Sequence, residues 1–152
     1  AIDGWTAGLP VLDSPALAVP IARLAPRLLA RAARRLRRRG RHLAGLSPAD
    51  RHTARIAAKQ LRYAGEFLAS LYPADAVHPW LHALAQLQDT LGDLNDLATL
   101  DARLFAEPPT GHASATARVR TLAAAAGAQA LATLDAQWRD WRAIPAFWER
   151  ED

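Results

Sequence analysis

Apolar residues recur along most of the chain at spacings of three and four, the period of a helix with one buried side. From about Pro20 to Leu43 they are Ile21, Leu24, Leu28, Ala32, Leu36 and Leu43. Pro26 falls early in that run, so the regular helix is expected to begin there or to kink there. Gly45 and Leu46-Ser47-Pro48 then supply a stop and a fresh start, with Ser47 as N-cap and Pro48 at the first helical position. A second helix is predicted from about Pro48 to Leu71, with Ile56, Ala57, Leu61, Ala64, Phe67, Leu68 and Leu71 inward. After the break at Tyr72-Pro73, a third runs from about Pro79 to Phe105 on Leu84, Leu87, Leu91, Leu94 and Ala98. Glu107-Pro108-Pro109-Thr110-Gly111 is a loop, and a fourth helix spans about Ala113 to Arg142 on Val119, Leu122, Ala126, Leu131, Leu134, Trp138 and Trp141. No alternating apolar run is long enough for a strand. The pattern predicts an all-α, antiparallel four-helix bundle with long helices over residues 20–152. Residues 1–19 form a proline- and glycine-containing lead-in.

Composition narrows what such a bundle can do. With 51% hydrophobic and 22% charged residues, the chain has the profile of a folded domain rather than a disordered one. It has no cysteine, which removes disulfides, thiolate metal sites and cysteine nucleophiles. No stretch approaches the roughly 20 strongly apolar residues of a membrane span, so no membrane partner is expected. The chain also lacks methionine and is expected to be a piece of a longer polypeptide.

Charge changes the picture more. The net charge of +4 conceals a segregation: residues 23–62 hold 12 arginines, Lys59 and one acid, Asp50, for +12. The remaining sequence holds six arginines and 14 acids, for −8. Codon bias accounts for arginine over lysine but not for its position. On the first helix Arg23, Arg27, Arg31, Arg34, Arg38 and Arg41 fall within an arc of about 80° at 100° per residue. On the second, His52, Arg55, Lys59 and Arg62 fall within a similar arc of about 80°, with Glu66 continuing the face one turn later. Like charges three and four apart destabilise a helix unless something anionic offsets them. An external polyanion is the expected partner, bound in a groove between the first two helices. Arginine suits it, because a planar, permanently charged fork matches phosphate oxygens.

The third helix carries Gln88-Asp89-Thr90-Leu91-Gly92-Asp93-Leu94-Asn95-Asp96. Asp89, Asp93 and Asp96 share one face, but no calcium-type loop or histidine pair accompanies them, so no metal site and no other cofactor is expected. Gln88, Asn95 and Asp96 are expected to orient arginines or helix ends of a neighbour, and Gly92 to permit a close helix approach.

The run Arg51-His52-Thr53-Ala54-Arg55-Ile56-Ala57-Ala58-Lys59-Gln60-Leu61-Arg62-Tyr63 resembles the signature helix of CHAD domains, the histidine-containing α-helical domains. Leu87 to Asp96 resembles the same family's Leu-Gln…Leu-Gly…Asn-Asp segment, and Pro145-Ala146-Phe147-Trp148 its C-terminal ending. The resemblance covers roughly residues 20–148. It implies one half, the C-terminal four-helix repeat, of a two-repeat domain built around a basic channel that holds inorganic polyphosphate. Here each motif occurs once where a complete domain has two, and the lead-in around Trp5 stands as the tail of a missing first repeat.

What the resemblance implies is non-catalytic polyphosphate binding. By position His52, Arg55, Lys59 and Arg62 match the family's phosphate-contacting residues, and Arg31, Arg34, Arg38 and Arg41 match its basic first helix. It also implies an upstream CYTH-type domain in the parent protein and a cytoplasmic location at bacterial polyphosphate granules. A homodimer across the basic face is expected, imitating the two-repeat domain. Two alternatives remain: sequence-independent nucleic-acid binding through the same face, and service as accessory to a triphosphate or polyphosphate hydrolase domain. No nucleophile or metal set for hydrolysis is visible in the chain itself.

Overall fold

The computed structural model describes residues 19–106 and 113–149, and all structural statements concern these. Four helices follow in order: α1 Ile21–Arg39, α2 Pro48–Leu68, α3 Ala74–Ala106 and α4 Ala113–Ala143. Short 3₁₀ turns at Leu43–Gly45 and Ala69–Leu71 follow α1 and α2. No strand occurs among the described residues. The lead-in up to residue 18, the loop at residues 107–112 and the last three residues lie outside the described set.

The starts and stops follow local chemistry. Ser47 caps α2, its hydroxyl oxygen accepting from the Asp50 amide at 3.1 Å, and Pro48 occupies the first turn, where its missing N–H costs nothing. Pro26 stands inside α1, which begins five residues before it, at Ile21. Pro79 likewise stands inside α3, which begins at Ala74, directly after extended Tyr72 and Pro73.

Each helix packs antiparallel on the next. His52 and Arg62 of α2 reach Asn95 and Gln88 of α3, and Arg120 and Trp141 of α4 reach Asp101 and Trp80 of α3. The turn after α1 closes the ring against α4. There the six-membered ring of Trp138 lies on Gly40, where an added Cβ would stand 2.8 Å from Cζ2 and Cζ3. Gly40→Ala is therefore expected to cost about 1–3 kcal/mol through overpacking, seen as a lower midpoint in thermal denaturation. An unchanged midpoint would mean that α1 and α4 do not meet at this point.

The core runs through Leu29, Leu36, Leu61, Leu84, Leu87, Leu91 and Leu134, all buried. At its base Trp80 meets Trp141, Phe147 and Trp148 edge-on, with ring centroids 5.4, 5.4 and 4.9 Å apart. The segment after α4 thus folds back over the start of α3.

Several residues expected inside are outside. On α1 the buried row is Ala25, Leu29, Ala33 and Leu36, while Ile21 and Leu28 are about half exposed. On α2 Ala54, Ala58 and Gly65 are buried, whereas Phe67 is 80% exposed and Ile56 is also outside, as is Leu71 in the turn that follows. Small residues form the inner faces here, so helices approach closely and the large side chains beside them are rotated outward. On α4 Val119, Leu122 and Ala126 are exposed, and burial sets in only with Leu134, Trp138 and Trp141. The reason is length. With 33 and 31 residues, α3 and α4 reach nearly 50 Å, against about 30 Å for α1 and α2 with 19 and 21. Where α3 and α4 outrun their neighbours, they cover only each other.

Candidate functional site

Along α2 the row His52, Arg55, Lys59, Arg62 stands at the margin of the buried face, on the flank that meets α3. His52 Nδ1 lies 2.7 Å from Asn95 Oδ1. Since that amide oxygen can only accept, Nδ1 carries the hydrogen and Nε2 is left for another partner. Arg62 donates from Nε to Gln88 Oε1 at 2.9 Å and from Nη1 to Glu66 at 3.0 Å. Asn95 in turn donates to Asp96 at 3.3 Å. The α3 amides thus orient the α2 cations, as the sequence leads one to expect.

Between these two contacts lies Gly92. The only atom within 4 Å of a Cβ built there is Arg55 Nε, at 3.8 Å, an ordinary van der Waals distance. Gly92 therefore supports no close backbone approach, contrary to expectation, and the space over it is used by the Arg55 side chain. Arg55 Nε is itself buried and has no hydrogen-bond partner. Lys59 is exposed, and its ammonium and the Arg62 guanidinium lie 5.5 and 5.4 Å from the Tyr63 ring.

The arrangement has a simple electrostatic consequence. His52 and Arg62 are oriented by uncharged amides, and Lys59 and Arg62 flank an aromatic ring. Such groups fix a cation without neutralising it. Glu66 is the one carboxylate ion-paired with the row among the described residues. The face therefore keeps most of its charge.

Arg31, Arg34, Arg38 and Arg41 are all exposed, as are Arg23 and Arg27. On a helical wheel this ridge, from Arg23 to Arg38, lies roughly 125–175° from the centre of the buried row of α1, at 100° per residue, and Arg41 continues it in the turn beyond the helix. It points away from the bundle, and none of its arginines is ion-paired among the described residues. The two basic rows therefore do not face one another across a groove between α1 and α2, as the sequence led us to expect. α2 turns its row toward α3, while α1 turns its own toward solvent.

Asp89, Asp93 and Asp96 are exposed on α3, and Asp93 and Asp96 line a shallow cavity with Ala126 and Ala130 of α4. Among the described residues no three histidines or carboxylates are grouped to hold a metal ion. Sequence reasoning had missed Arg37, His42, Arg139 and Arg142 as candidates, though not Arg41. Arg37, Arg41 and His42 at the end of α1 share a cavity with Arg139 and Arg142 of α4. Their only sequence signal is that Arg139 and Arg142 flank the buried Trp138 and Trp141.

Fold and site define an all-helical bundle with a cationic face that keeps most of its charge. A family model described as CHAD domain matches residues 1–105. The chain belongs to the CHAD family, whose members bind polyphosphate and are as a class non-catalytic. The matched range includes residues 1–19 and ends in the last turn of α3, so α4 and the Pro145–Trp148 ending lie beyond it. Searches of curated proteins and of solved structures found no match. No helix among the described residues is long and apolar enough to cross a membrane.

Proposed function

We propose that this chain binds inorganic polyphosphate without altering it, through His52, Arg55, Lys59 and Arg62 on α2. The outward arginines Arg31, Arg34 and Arg38 form a second track on α1, which Arg41 continues in the turn that follows. The observation that carries the reading is the support of Arg62 by Gln88 and of His52 by Asn95, with Glu66 the one carboxylate ion-paired with the row among the described residues. Fixed cations repeating about every 5.4 Å along a helix suit a repeating anion better than a single phosphate. Granule targeting and an upstream CYTH-type domain belong to the same proposal.

Nucleic acid is the rival ligand, because any cationic ridge gains from counterion release. Single strands are held by aromatic platforms as well, whereas beside the α2 row the Tyr63 ring is already flanked by Lys59 and Arg62. Unlabelled polyphosphate is therefore expected to displace a fluorescent DNA oligonucleotide at far lower phosphate concentration than DNA displaces polyphosphate. Equal displacement in both directions would leave a non-selective polyanion binder.

The proposal includes a two-fold dimer across the basic face, formed with ligand, since bound polyphosphate removes the repulsion between two cationic surfaces. Sedimentation velocity is expected to show association only when long polyphosphate is added. A monomer in both conditions, well above micromolar concentration, rejects the dimer and leaves the binding face standing.

A further inference from the structure

We infer that the seam between the end of α1 and the last turns of α4 is a second anion site, for a compact oligophosphate the size of inorganic triphosphate. It is separate from the α2 row. The seam encloses about 680 Å³ and gathers Arg37 and Arg41 from the α1 side with Arg139 and Arg142 from α4, His42 standing at the turn. One carboxylate, Asp135, shares the cavity, and among the described residues it is ion-paired with none of these cations.

Two features show that the cations are held in place rather than merely crowded. Trp138 closes on Gly40, which brings the α4 arginines to the end of α1. Arg142 then lies over the Trp138 ring at 5.9 Å and Arg37 over Trp141 at 6.0 Å. Indole faces attract guanidinium groups without cancelling their charge. Arg37 Nε is also buried without a hydrogen-bond partner, an unmet donor at the seam.

Ordinary helix chemistry accounts for part of this charge. Arg37 stands in the last turn of α1 and Arg142 in that of α4, where cations offset the partial negative charge of a helix C-terminus. Each such end carries about half a unit. Two ends and Asp135 together offset about two of the four arginine charges. An excess of about two charges remains. It is spread over a concavity too wide for one phosphate to span, which calls for a short linked anion.

The test is calorimetric titration of the protein with inorganic triphosphate at low salt, for wild type and two variants. Wild type is expected to show two classes of site. Arg139→Gln with Arg142→Gln should weaken one class about a hundredfold, from two lost charge-assisted contacts, and leave the other. Substitution of Arg55, Lys59 and Arg62 should do the reverse, so the seam and the α2 face can fail separately. Amide shifts in the wild-type protein give a readout that does not depend on how a variant folds. Triphosphate should move the signals of His42, Gly45 and Asp135. A titration that moves only α2 and α3 signals, or an isotherm unchanged by the double substitution, overturns the inference.

Discussion

Replacing Arg55, Lys59 and Arg62 together by glutamate is expected to abolish polyphosphate binding, with a loss of at least three orders of magnitude in affinity, while the helices persist. A hydrogen bond to a charged group contributes about 1.5–3 kcal/mol, so three lost contacts already exceed a thousandfold. Reversal adds repulsion to that loss. The structural cost is smaller. None of the three belongs to the buried apolar row of Ala54, Ala57, Ala58, Leu61 and Leu68. The Arg62–Glu66 pair is an exposed i,i+4 contact of the kind worth about 0.3–0.5 kcal/mol. Gln88, which now accepts from Arg62, can rotate its amide to donate to a glutamate there. Arg55 is the costliest position, because its guanidinium is half-buried beside Gly92. Lys59→Glu alone gives a cleaner, smaller effect, since Lys59 is exposed and no hydrogen bond of its ammonium is lost. Circular dichroism and a binding titration on the same samples decide the matter. Helical protein that keeps near-native affinity after the triple change would place polyphosphate elsewhere.

The four helices were legible because their punctuation is chemical and local. Ser47-Pro48 opens α2, Tyr72-Pro73 separates α2 from α3, and Leu84, Leu87, Leu91 and Leu94 mark one side of α3 without ambiguity. The rotation of α1 about its axis was harder to read. Alanine and leucine alternate along it, and a row through Leu24 and Leu28 competes with the true row through Ala25, Leu29 and Ala33. The exposure of Leu122 was not legible at all, since it follows from the unequal lengths of helices packed together.

The α2 row could be read from its spacing, and its amide partners from the polar residues of α3. Which neighbour the row faces could not. A wheel gives the angle between a basic row and a buried one, but not which helix occupies either flank. That single ambiguity separates the expected groove between α1 and α2 from the face shared by α2 and α3. The seam at Trp138 lay further out of reach, because it joins residues about 100 apart in sequence.

Polyphosphate affinity is expected to fall about a thousandfold between 50 and 200 mM salt. Each phosphate neutralised by a fixed cation releases condensed counterions, so the logarithm of the affinity falls linearly with the logarithm of salt. At roughly 0.7 per contact, as for a single-stranded polyanion, about seven contacts are required for a drop of that size. The α2 row alone offers three permanent cations, Arg55, Lys59 and Arg62, with His52 beside them. A thousandfold fall therefore requires that one bound polyanion also engage the outward ridge of α1, where Arg31, Arg34, Arg38 and Arg41 stand exposed. The two rows lie on different flanks, so the polyanion must be long enough to wrap from one to the other. A polyphosphate too short to wrap is then expected to show a much shallower slope, set by the α2 contacts alone. For the long polymer, neutralising Arg31, Arg34 and Arg38 with glutamine should reduce the slope by about two units, at roughly 0.7 per contact as for a single-stranded polyanion. Titrations at four or five salt concentrations, with long and short polyphosphate, measure both slopes. Equal slopes for the two lengths would confine binding to α2 and remove the α1 ridge from the site.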